Sequence, residues 1–532
     1  PKGKSRFKVA MWAGDPAYQP AVRSAVGKAE DLSKFTDGGS AQWGDPIAVG
    51  SELSDNQAHA YVVDKIGVPF NNPLEPKMRI GAFDFFKDGK TAAVCTWDGD
   101  VWIVSNIDEK LDKVTWKRFA TGLHEPLGLK IVNEKIYTVG DDQITRFHDF
   151  NGDNEADFLE NFNNDWENTE GFHAFCFDLH TDPEGNFYFA MGCPVRAGGR
   201  GFERMGKQHG SVIKVSPDGK DMSIYASGFR APNGIGVGPN GEVTTGDNEG
   251  SYVPSAPLHW VKPGSFNGVV DAYHGTRKLK SSPIAGYEIE YKDWKKYKPE
   301  EREGFQHDPS EAPKPLVWMS KKRGIDNSGG GQAWVTSEKW GPLKDQLLHF
   351  SYGQSKMYVV LKEEKNGQMQ GGVARIPVEL SSSAMRARIN PRDGQLYVSG
   401  LKGWQTNAKG NGGLDRIRYT GKPVHLPKSI EVKKDRIDIS FYEALDPNAA
   451  NLLSQFKFGA WNLKWSHNYG SPEIPVQEME LKKVELLGDG KTISLHIPNL
   501  KPVHMAQIDY DIKSANGEEI KGRIDHTIHV VE

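Results

Sequence analysis

Short apolar segments alternate with glycine- or asparagine-centred turns from Phe83 onward, and each unit is typical of a strand, a tight turn and a second strand. The units are "FFKDGKTAAVCTW", "KIVNEKIYTV", "HTDPEGNFYFAMG", "GVGPNGEVTTG", "NSGGGQAWVTS" and "INPRDGQLYVSG". Their turns fall near residues 88, 134, 184, 240, 330 and 393, with one long interval. Because a propeller blade holds about four strands in roughly 50 residues, this period predicts a six-bladed β-propeller.

The segments on either side of this repeat have different patterns. Residues 1–75 are turn-rich and weakly periodic, and we interpret them as an extension that packs on the propeller, which spans residues 76–424. Residues 425–532 alternate with a period of two, as in "DRIDISF" and "KTISLHI", which predicts a small Ig-like or fibronectin-like β-sandwich. The long interval holds a charged insertion at 270–312, interpreted as a surface loop, or else as a lid or a loop that docks a partner. The predicted fold class is therefore all-β.

Composition and charge exclude several partners. The chain has 532 residues, 58 of them Gly and 14 Trp, which suits a large β-rich protein with many turns. A net charge of −4 gives no electrostatic reason to expect nucleic acid or an anionic membrane surface. No apolar run is long enough to span a bilayer, and the first residues lack the apolar run of a signal peptide, so we expect a cytosolic or a mature secreted chain.

The three cysteines form no C-x-x-C pair and no C-x-x-C-H motif, which excludes a covalent c-type haem and a zinc ribbon in this chain. Cys176 and Cys193 flank a predicted hairpin. They pair if the compartment is oxidising, or they remain small buried apolar side chains.

The segment "DFNGDNEADFLE" has the oxygen-rich spacing of a calcium loop. Its candidate ligands, at loop positions 1, 3, 5, 7, 9 and 12, are Asp149, Asn151, Asp153, Glu155, Asp157 and Glu160. Asn154 replaces the usual glycine, and asparagine tolerates the left-handed backbone conformation that this position needs. We expect a structural calcium ion in a propeller loop, the alternative being a solvated acidic turn.

Polar residues recur where the innermost blade strands are expected. They are His173, His209, Arg230, Asn233, Asp326, Asn327, Arg386 and Arg388, with Asp247 and Asn248 at the end of one hairpin. Because innermost strands of a propeller surround one channel, side chains far apart in sequence are expected to converge there. Two arginines two residues apart point to one face and suit a carboxylate or phosphate, and a histidine is a natural base for a hydroxyl proton. Each of these residues also has a purely structural interpretation, as a hydrogen-bonded histidine, an ion-paired arginine or a turn-closing aspartate.

Several longer stretches carry a family resemblance. They include "GFHAFCFDLHTDPEGNFYFA", "YASGFRAPNGIGVGPNGEVTTGDNEGSYVP", "DNSGGGQAWVTSEKWGPLKDQLLHFSYG" and "RARINPRDGQLYVSGLKGWQTN". The chain resembles the glucose/sorbosone dehydrogenase class of propellers over about residues 75–420. Within that class it is most similar to the secreted "membrane-bound dehydrogenase" propellers of planctomycetes and verrucomicrobia, which often carry a fused c-type cytochrome domain that this sequence lacks.

The resemblance implies a fold, a cofactor and roles for named residues. Family members of this type oxidise sugars with pyrroloquinoline quinone and calcium. By motif, His173 resembles the base, Arg230 the arginine of the R-N-P stretch, and Arg386 with Arg388 the R-x-R pair. Lys322, just before the "GIDNSGGG" segment, is the candidate that the resemblance implies for the cofactor-binding lysine. Ala231 replaces the asparagine of that stretch, with Asn233 close by as a further cofactor-binding candidate.

These observations lead to one expected function and two alternatives. We expect a periplasmic or secreted oxidoreductase that acts on a sugar or polyol, with His173 and Asp247 catalytic and electrons passed to a separate c-type cytochrome. The second hypothesis is a carbohydrate or lactone hydrolase or lyase, with a divalent cation held by Asp247, Asn248, Asp326 or Asn327. The third is a carbohydrate-binding or scaffold module in a larger secreted assembly.

Overall fold

A computed structural model of the chain describes residues 7–32, 36–56, 58–169, 171, 173–196, 199, 202–250, 253–269, 312–447, 453–466 and 469–532. The charged insertion predicted at 270–312 lies outside the described residues except for Ala312. The helical elements of the described part are α1 (Gln19–Val26) and short 3-10 turns at Pro16–Tyr18, Glu338–Leu343 and Leu453–Gln455.

The rest of the regular structure is strand. Between residues 47 and 419 the strands are β1 (Ile47–Ala48), β2 (Tyr61–Ile66), β3 (Ile80–Phe85), β4 (Ala92–Thr96), β5 (Val101–Ser105), β6 (Thr115–Ala120), β7 (Gly128–Val132), β8 (Lys135–Val139), β9 (Ile144–His148), β10 (Phe158–Asn163), β11 (Cys176–Thr181), β12 (Phe187–Met191), β13 (Ser211–Val215), β14 (Met222–Ser227), β15 (Ile235–Val237), β16 (Val243–Gly246), β17 (Ala256–Val261), β18 (Val317–Met319), β19 (Gly329–Trp334), β20 (Leu347–Ser351), β21 (Lys356–Lys365), β22 (Gln368–Ile376), β23 (Arg386–Ile389), β24 (Leu396–Leu401) and β25 (Gly412–Tyr419). The C-terminal strands are β26 (Pro427–Lys433), β27 (Arg436–Phe441), β28 (Phe456–Leu463), β29 (Glu473–Pro475), β30 (Lys483–Leu486), β31 (Thr492–His496), β32 (Val503–Lys513) and β33 (Glu519–Ile528).

Strands β1 to β25 form antiparallel sheets that follow one another along the chain. The sheet orders are β3-β4-β5-β6-β1, β7-β8-β9-β10, β11-β12-β13-β14, β15-β16-β17-β18, β19-β20-β21-β22 and β23-β24-β25-β2. The first strand of each sheet contacts the first strand of the next, and β23 contacts β3. The sheets therefore close into a ring around their first strands, the arrangement of a β-propeller, and the all-β prediction is confirmed.

The ring is closed by a strand that the sequence pattern assigned to the N-terminal extension. Strand β2 pairs along its whole length with β25, from Tyr61 opposite Tyr419 to Ile66 opposite Leu414. Buried Asp64 fixes this pairing because its carboxylate accepts hydrogen bonds from both Arg416 and Arg418. Residues 61–66 are therefore part of the last ring sheet. The predicted boundary after residue 75 would assign the outer strand of that sheet to a different segment from its other strands.

The C-terminal strands form two sheets, and one of them continues the ring. Strands β26, β27, β31 and β30 make one sheet, whereas β33, β32, β28 and β29 extend the sheet of β19 to β22. The junction runs from Gly371 opposite Thr527 to Ala374 opposite Ile524. A single apolar core includes Trp340 of the ring and Ile439 of the C-terminal sheets. We call residues 425–532 the C-terminal module, and it is fused to the ring through a shared sheet and a shared core.

One predicted turn is a strand. The glycines near residue 330 belong to β19, the first strand of its sheet, whereas the other predicted turns connect the first and second strands of theirs. A side chain at Gly330 would lie 2.8 Å from the carbonyl oxygen of Ala384, and one at Gly331 would lie 2.7 Å from the Asp178 carboxylate. The glycines are needed because backbones and a carboxylate approach each other closely at the ring centre.

All three cysteines are buried thiols, and Cys176 and Cys193 do not form a disulfide. The Sγ of Cys193 lies 3.3 Å from the carbonyl oxygen of Phe229. These side chains act as small buried groups in the ring.

None of the helices within the described residues has the length and apolar character needed to cross a membrane.

Candidate active site

A cavity of about 430 Å³ opens at the end of the ring where the first strands begin, and we call it the face cavity. Its wall includes residues at the N-terminal ends of these strands: Leu127 precedes β7, Ser328 precedes β19 and Met385 precedes β23. Residues that follow second strands also line it, since a second strand runs antiparallel to the first and ends at the same face. Sequence-distant side chains therefore meet here, as the propeller pattern predicts.

The wall is aromatic on several sides and polar at a few points. The aromatic residues are Trp97, Phe175, Phe177, Tyr352, Trp404 and Tyr469. The polar and charged residues are His173, Arg230, Asn233, Asn248, Asn327, Ser328 and Gln405. No aspartate or glutamate is among the described residues that line the cavity. Apolar walls with few polar groups are typical of sites for small molecules.

His173, the predicted base, lies in this wall and is half-buried. Burial, together with the positive charge of Arg230, lowers the pKa of the His173 imidazole to about 4. Its ring centroid is 4.8 Å from that of Trp404, and its ring meets Phe175 edge-on at 5.7 Å. The imidazole is therefore neutral at pH 7 and has the protonation state of a general base.

Arg230 brings the only guanidinium found among the described lining residues. Its Nη2 donates to the carbonyl oxygen of Gly199 at 2.8 Å, and its guanidinium carbon lies 5.6 Å from the ring centroid of Tyr469. The side chain is thus held at the wall, where a carboxylate or a hydroxyl of a ligand can pair with its remaining N–H groups.

Asp247 positions this arginine and is not itself at the cavity wall. Its Oδ2 accepts the backbone N–H of Arg230 at 2.7 Å, and its Oδ1 accepts those of Ala231 and Asn248 at 2.7 Å each. Burial raises the pKa of the Asp247 carboxyl, and the hydrogen bonds from these N–H groups lower it by a smaller amount. Because both oxygens are used by the backbone, the predicted catalytic role of Asp247 is replaced by a positioning role.

Asn233 and Asn248 line the cavity as expected, and each has an unmet hydrogen-bond acceptor. The Oδ1 atoms of both side chains are buried and accept no hydrogen bond from a residue in the described ranges. Buried acceptors without a donor are rare in native proteins. The amide wall therefore suits a ligand or ordered water that brings donors.

Arg386 and Arg388 lie inside the ring, below the cavity, and do not line it. Arg386 donates to the carbonyl oxygens of Leu127 and Asn233, and Arg388 donates to the Asp178 carboxylate at 3.2 Å. Burial alone would raise the pKa of Asp178, but His180, Arg386 and Arg388 hold that pKa well below its usual range. The expectation that the R-x-R pair binds a cofactor is corrected: these cations neutralise Asp178 and tie the inner strands together.

Lys322 also lies outside the cavity wall. Its Nζ donates to the carbonyl oxygen of Ser471 in the C-terminal module. The neighbouring Lys321 is nearer the cavity, with its Nζ 3.5 Å from Gln405 Oε1 and 5.9 Å from the ring centroid of Tyr469. The predicted lysine is therefore structural, and the lysine at the cavity rim is the preceding residue.

The remaining polar candidates are structural. Asp326 accepts hydrogen bonds from the backbone N–H groups of Asn327 and Ser328, and its Oδ2 lies 2.7 Å from His349 Nε2. His209 is fully buried, and its Nδ1 accepts the N–H of Gly206. The cation site proposed from Asp247 and Asp326 is not favoured, because both carboxylates are already used by backbone N–H groups.

Grouped metal-ligating side chains occur elsewhere in the described part of the chain. The groups are His124 with Glu125 and Asp141, and His425 with Glu443 and Glu518.

The loop predicted to bind calcium is folded against the N-terminal segment. Asp157 accepts the N–H of Gly39, and Glu155 accepts the N–H of Gln42 at 2.6 Å. Asn154 has a φ of +62°, so it adopts the left-handed conformation for which a calcium loop usually has glycine at this position.

The other oxygens of this loop also have partners. Asp149 and Asp153 accept backbone N–H groups within the loop, and Asn151 donates to the carbonyl oxygen of Gly39. Glu160 lies on β10 and binds Arg146 and His148. Glu160 is thus engaged away from the loop, and calcium binding there stays a prediction.

The residues present do not fit pyrroloquinoline quinone with a bound calcium ion. The aromatic walls suit a flat ring, and Arg230 can pair with one carboxylate. The quinone carries three carboxylates, whereas of the five residues predicted to hold it only Arg230 and Asn233 line the cavity. We derive no reaction step through this cofactor.

Sequence reasoning missed most of the aromatic wall, although a signal for it exists. Trp97 follows β4, Tyr352 follows β20 and Trp404 closely follows β24, so an aromatic residue recurs just after second strands. Tyr469 has no such signal because it comes from the C-terminal module.

No protein-family model matches the chain, and no curated protein matches it. Among solved structures, a protein from Thermus thermophilus described as a glucose dehydrogenase is 15% identical, with a TM-score of 0.45 over 67% of this chain and 99% of that one. The holo pyranose dehydrogenase PQQ domain from Coprinopsis cinerea is 11% identical, with a TM-score of 0.44 over 70% and 97%. The PQQ-bound aldose sugar dehydrogenase from Streptomyces coelicolor is 11% identical, with a TM-score of 0.41 over 67% and 98%. At these identities and scores the similarities assign no activity to this chain.

Proposed function

We propose that the chain is an oxidoreductase that binds a sugar or polyol in the face cavity and oxidises one of its hydroxyl groups. The observation that carries this proposal is the neutral His173 imidazole beside Arg230 in an aromatic cavity. Aromatic faces pack against the C–H faces of sugar rings, and amide and guanidinium groups exchange hydrogen bonds with hydroxyls. No lining carboxylate among the described residues competes with His173 for the hydroxyl proton.

The chemistry assigned to the residues is a proton transfer. His173 accepts the proton of the substrate hydroxyl while the carbon-bound hydrogen leaves as hydride, and a carbonyl forms. Arg230 stabilises the negative charge that develops on the oxygen. The hydride passes to a soluble two-electron acceptor of the quinone class, such as the redox dye of the assay below, which is reduced as the carbonyl forms. We propose that electrons then pass to a separate partner such as a c-type cytochrome.

We also infer that the ring sheets are the six predicted blades and that the two C-terminal sheets are the predicted Ig-like sandwich. The contact between β23 and β3 supports the first, and the two antiparallel C-terminal sheets, which share one apolar core, support the second. A periplasmic or secreted location stays a proposal that follows from the family resemblance of the sequence.

A carbohydrate-binding module without catalysis is the second candidate. The aromatic wall supports it equally. The side chains of Asp247, Arg386 and Arg388 also support it, because they form hydrogen bonds within the protein and do not line the cavity. Loss of His173 distinguishes the two, because a pure binding site does not need a base.

The test uses the purified chain with a panel of D-glucose, D-galactose, cellobiose and myo-inositol, and a redox dye as acceptor. The assay is run with and without added pyrroloquinoline quinone and calcium. We expect dye reduction with at least one compound, a loss of about 10²- to 10⁴-fold in His173→Ala, and none in the control His425→Ala on the C-terminal module. Binding without dye reduction under every condition would favour the second candidate, and neither binding nor reduction would reject both.

A further inference from the structure

The C-terminal module reaches the face cavity through the connection between β28 and β29. These strands pair from Trp461 opposite Pro475 to Leu463 opposite Glu473, as the two arms of a hairpin do. Tyr469 in this connection is one of the cavity-lining residues. The cavity wall is therefore built from the ring and from a second structural unit.

This hairpin is fixed to the ring by specific contacts. The N–H of Ser471 donates to the carbonyl oxygen of Pro254, and Lys322 Nζ donates to the carbonyl oxygen of Ser471, both at 3.1 Å. The Glu473 carboxylate accepts hydrogen bonds from Ser320 and from Arg323. The segment that holds Tyr469 is thus bound to the residue stretch before β17 and to the connection between β18 and β19.

The side chain of Tyr469 is packed against the polar part of the cavity. The Arg230 guanidinium carbon lies 5.6 Å from its ring centroid, and a Cβ at Gly199 would collide with the ring. Gly199 has a φ of +77°, a conformation that favours glycine, and its lack of a side chain leaves room for the tyrosine ring. Among the described residues none accepts a hydrogen bond from the Tyr469 hydroxyl, and Tyr469 lines the cavity.

We propose that Tyr469 is a specificity-determining residue of the face cavity, supplied by the C-terminal module to bind the ring of a sugar. This inference rests on the proposed function, since it takes a sugar as the ligand. Its ring supplies a stacking surface, its hydroxyl supplies a hydrogen bond, and its packing against Arg230 holds that guanidinium in place at the wall. The C-terminal module then contributes to recognition as well as to the shared core.

The experiment compares Tyr469→Ala and Tyr469→Phe with wild type in the full chain, with Tyr18→Ala as the control because Tyr18 is 66% exposed. Calorimetric titration with D-glucose and with cellobiose gives Kd, and steady-state oxidation of the sugar that is turned over gives KM and kcat. Because an aromatic contact contributes about 0.5–1.5 kcal/mol, we expect Tyr469→Ala to raise Kd and KM by about 2- to 12-fold with little change in kcat. Tyr469→Phe should keep most of the affinity, and Tyr18→Ala should match wild type.

The outcomes separate this inference from the proposed function. Wild type that binds a sugar while Tyr469→Ala binds it equally well overturns the inference alone. Wild type that binds neither sugar overturns both. If Tyr469→Ala does not melt cooperatively, Tyr469→Leu, which keeps an apolar side chain, takes its place with the same expected rise in Kd.

Discussion

At the scale of single residues, the important distinction is between charged side chains that are paired inside the ring and those that face the cavity. Asp178 is fully buried at the ring centre and is surrounded by Arg386, Arg388 and His180. Arg230 is held by backbone contacts but keeps N–H groups at the wall. The ring thus separates a structural charge cluster from a nearby ligand-facing guanidinium.

The Asp178 cluster gives a stability prediction. Asp178→Asn should lower the free energy of unfolding by about 3–5 kcal/mol, because it leaves two buried guanidinium groups without their carboxylate. Urea unfolding followed by tryptophan fluorescence measures it. The control Asp218→Ala removes an exposed carboxylate paired with Lys220 and should leave the midpoint unchanged. A midpoint for Asp178→Asn equal to that of wild type would show that the arginines do not depend on Asp178.

Residue identities in the site were partly predictable from sequence. His173, Arg230 and Asn233 follow motifs at the ends of predicted strands, and the structure places them together at the cavity. Arg386 and Arg388 share the same sequence pattern, yet face a buried carboxylate, because alternation along a strand gives the face of a side chain and not its depth in the ring. Asp178 was overlooked since an aspartate in a short strand looks solvent-exposed from sequence alone.

At the scale of elements, the decisive feature is that the ring is closed by strands from both ends of its sequence. Strand β2 forms the outer edge of the last sheet, and buried Asp64 joins it to Arg416 and Arg418 on β25. Local hydrophobic patterns identify strands but not their partners over more than 300 residues. The repeat period was therefore readable from sequence, whereas the closing strand was not.

Strand β2 leads to a truncation test. Removing residues 1–66 should lower the melting temperature strongly, since β25 loses its partner strand and two arginines lose Asp64. Removing residues 1–32 should change it little, because residues 7–32 are largely exposed. Differential scanning calorimetry of both truncations checks this. Equal melting temperatures for the two would contradict the assignment of β2 to the ring.

The same scale explains the Gly-rich segment near residue 330. Glycine clusters indicate turns in most sequences, but here they allow β19 to pass close to Ala384 and Asp178 at the ring centre. Composition cannot distinguish a tight turn from a close backbone approach. Only the tertiary neighbours decide between them.

At the scale of the whole molecule, buried neutral histidines should make the fold sensitive to acid. Burial lowers the pKa of five histidines to between about 3 and about 4: His173, His209, His259, His526 and His529. The unfolded chain protonates these imidazoles with a pKa of about 6.5, so between about pH 6.5 and about pH 4 it binds more protons than the folded chain. Stability should therefore be full above about pH 6.5 and fall as the pH decreases through this window.

Five carboxyls whose pKa is raised by burial act in the opposite direction: Asp141, Asp247, Glu249, Asp415 and Asp525. Burial raises the pKa of Asp415 and Asp525 to about 6, so the folded chain binds protons there that the unfolded chain does not. His180, whose pKa burial also lowers, acts with the five histidines, and so do the carboxyls whose pKa the fold lowers: Asp64, Asp84, Asp178 and Asp182. The net expectation is a urea midpoint that decreases from about pH 7 to about pH 4. A midpoint that is constant or higher at the lower pH would contradict the neutral state of these histidines.

The C-terminal module shows a similar limit of sequence patterns at the scale of the whole molecule. Its alternating pattern identifies strands, but one of its sheets continues a ring sheet and one of its loops carries Tyr469 to the cavity. The alternation of apolar and polar residues does not indicate whether a sheet continues across a predicted domain boundary.

The central claim is that His173 is the base for sugar oxidation in the face cavity. Its most direct test is sugar-dependent dye reduction by wild type and by His173→Gln at about pH 7.5, with sugar affinity measured in the same preparations. The expected result is oxidation by wild type and a loss of about 10²- to 10⁴-fold in the variant, with affinity retained. Equal rates for the two proteins, or no sugar binding by wild type, would contradict it.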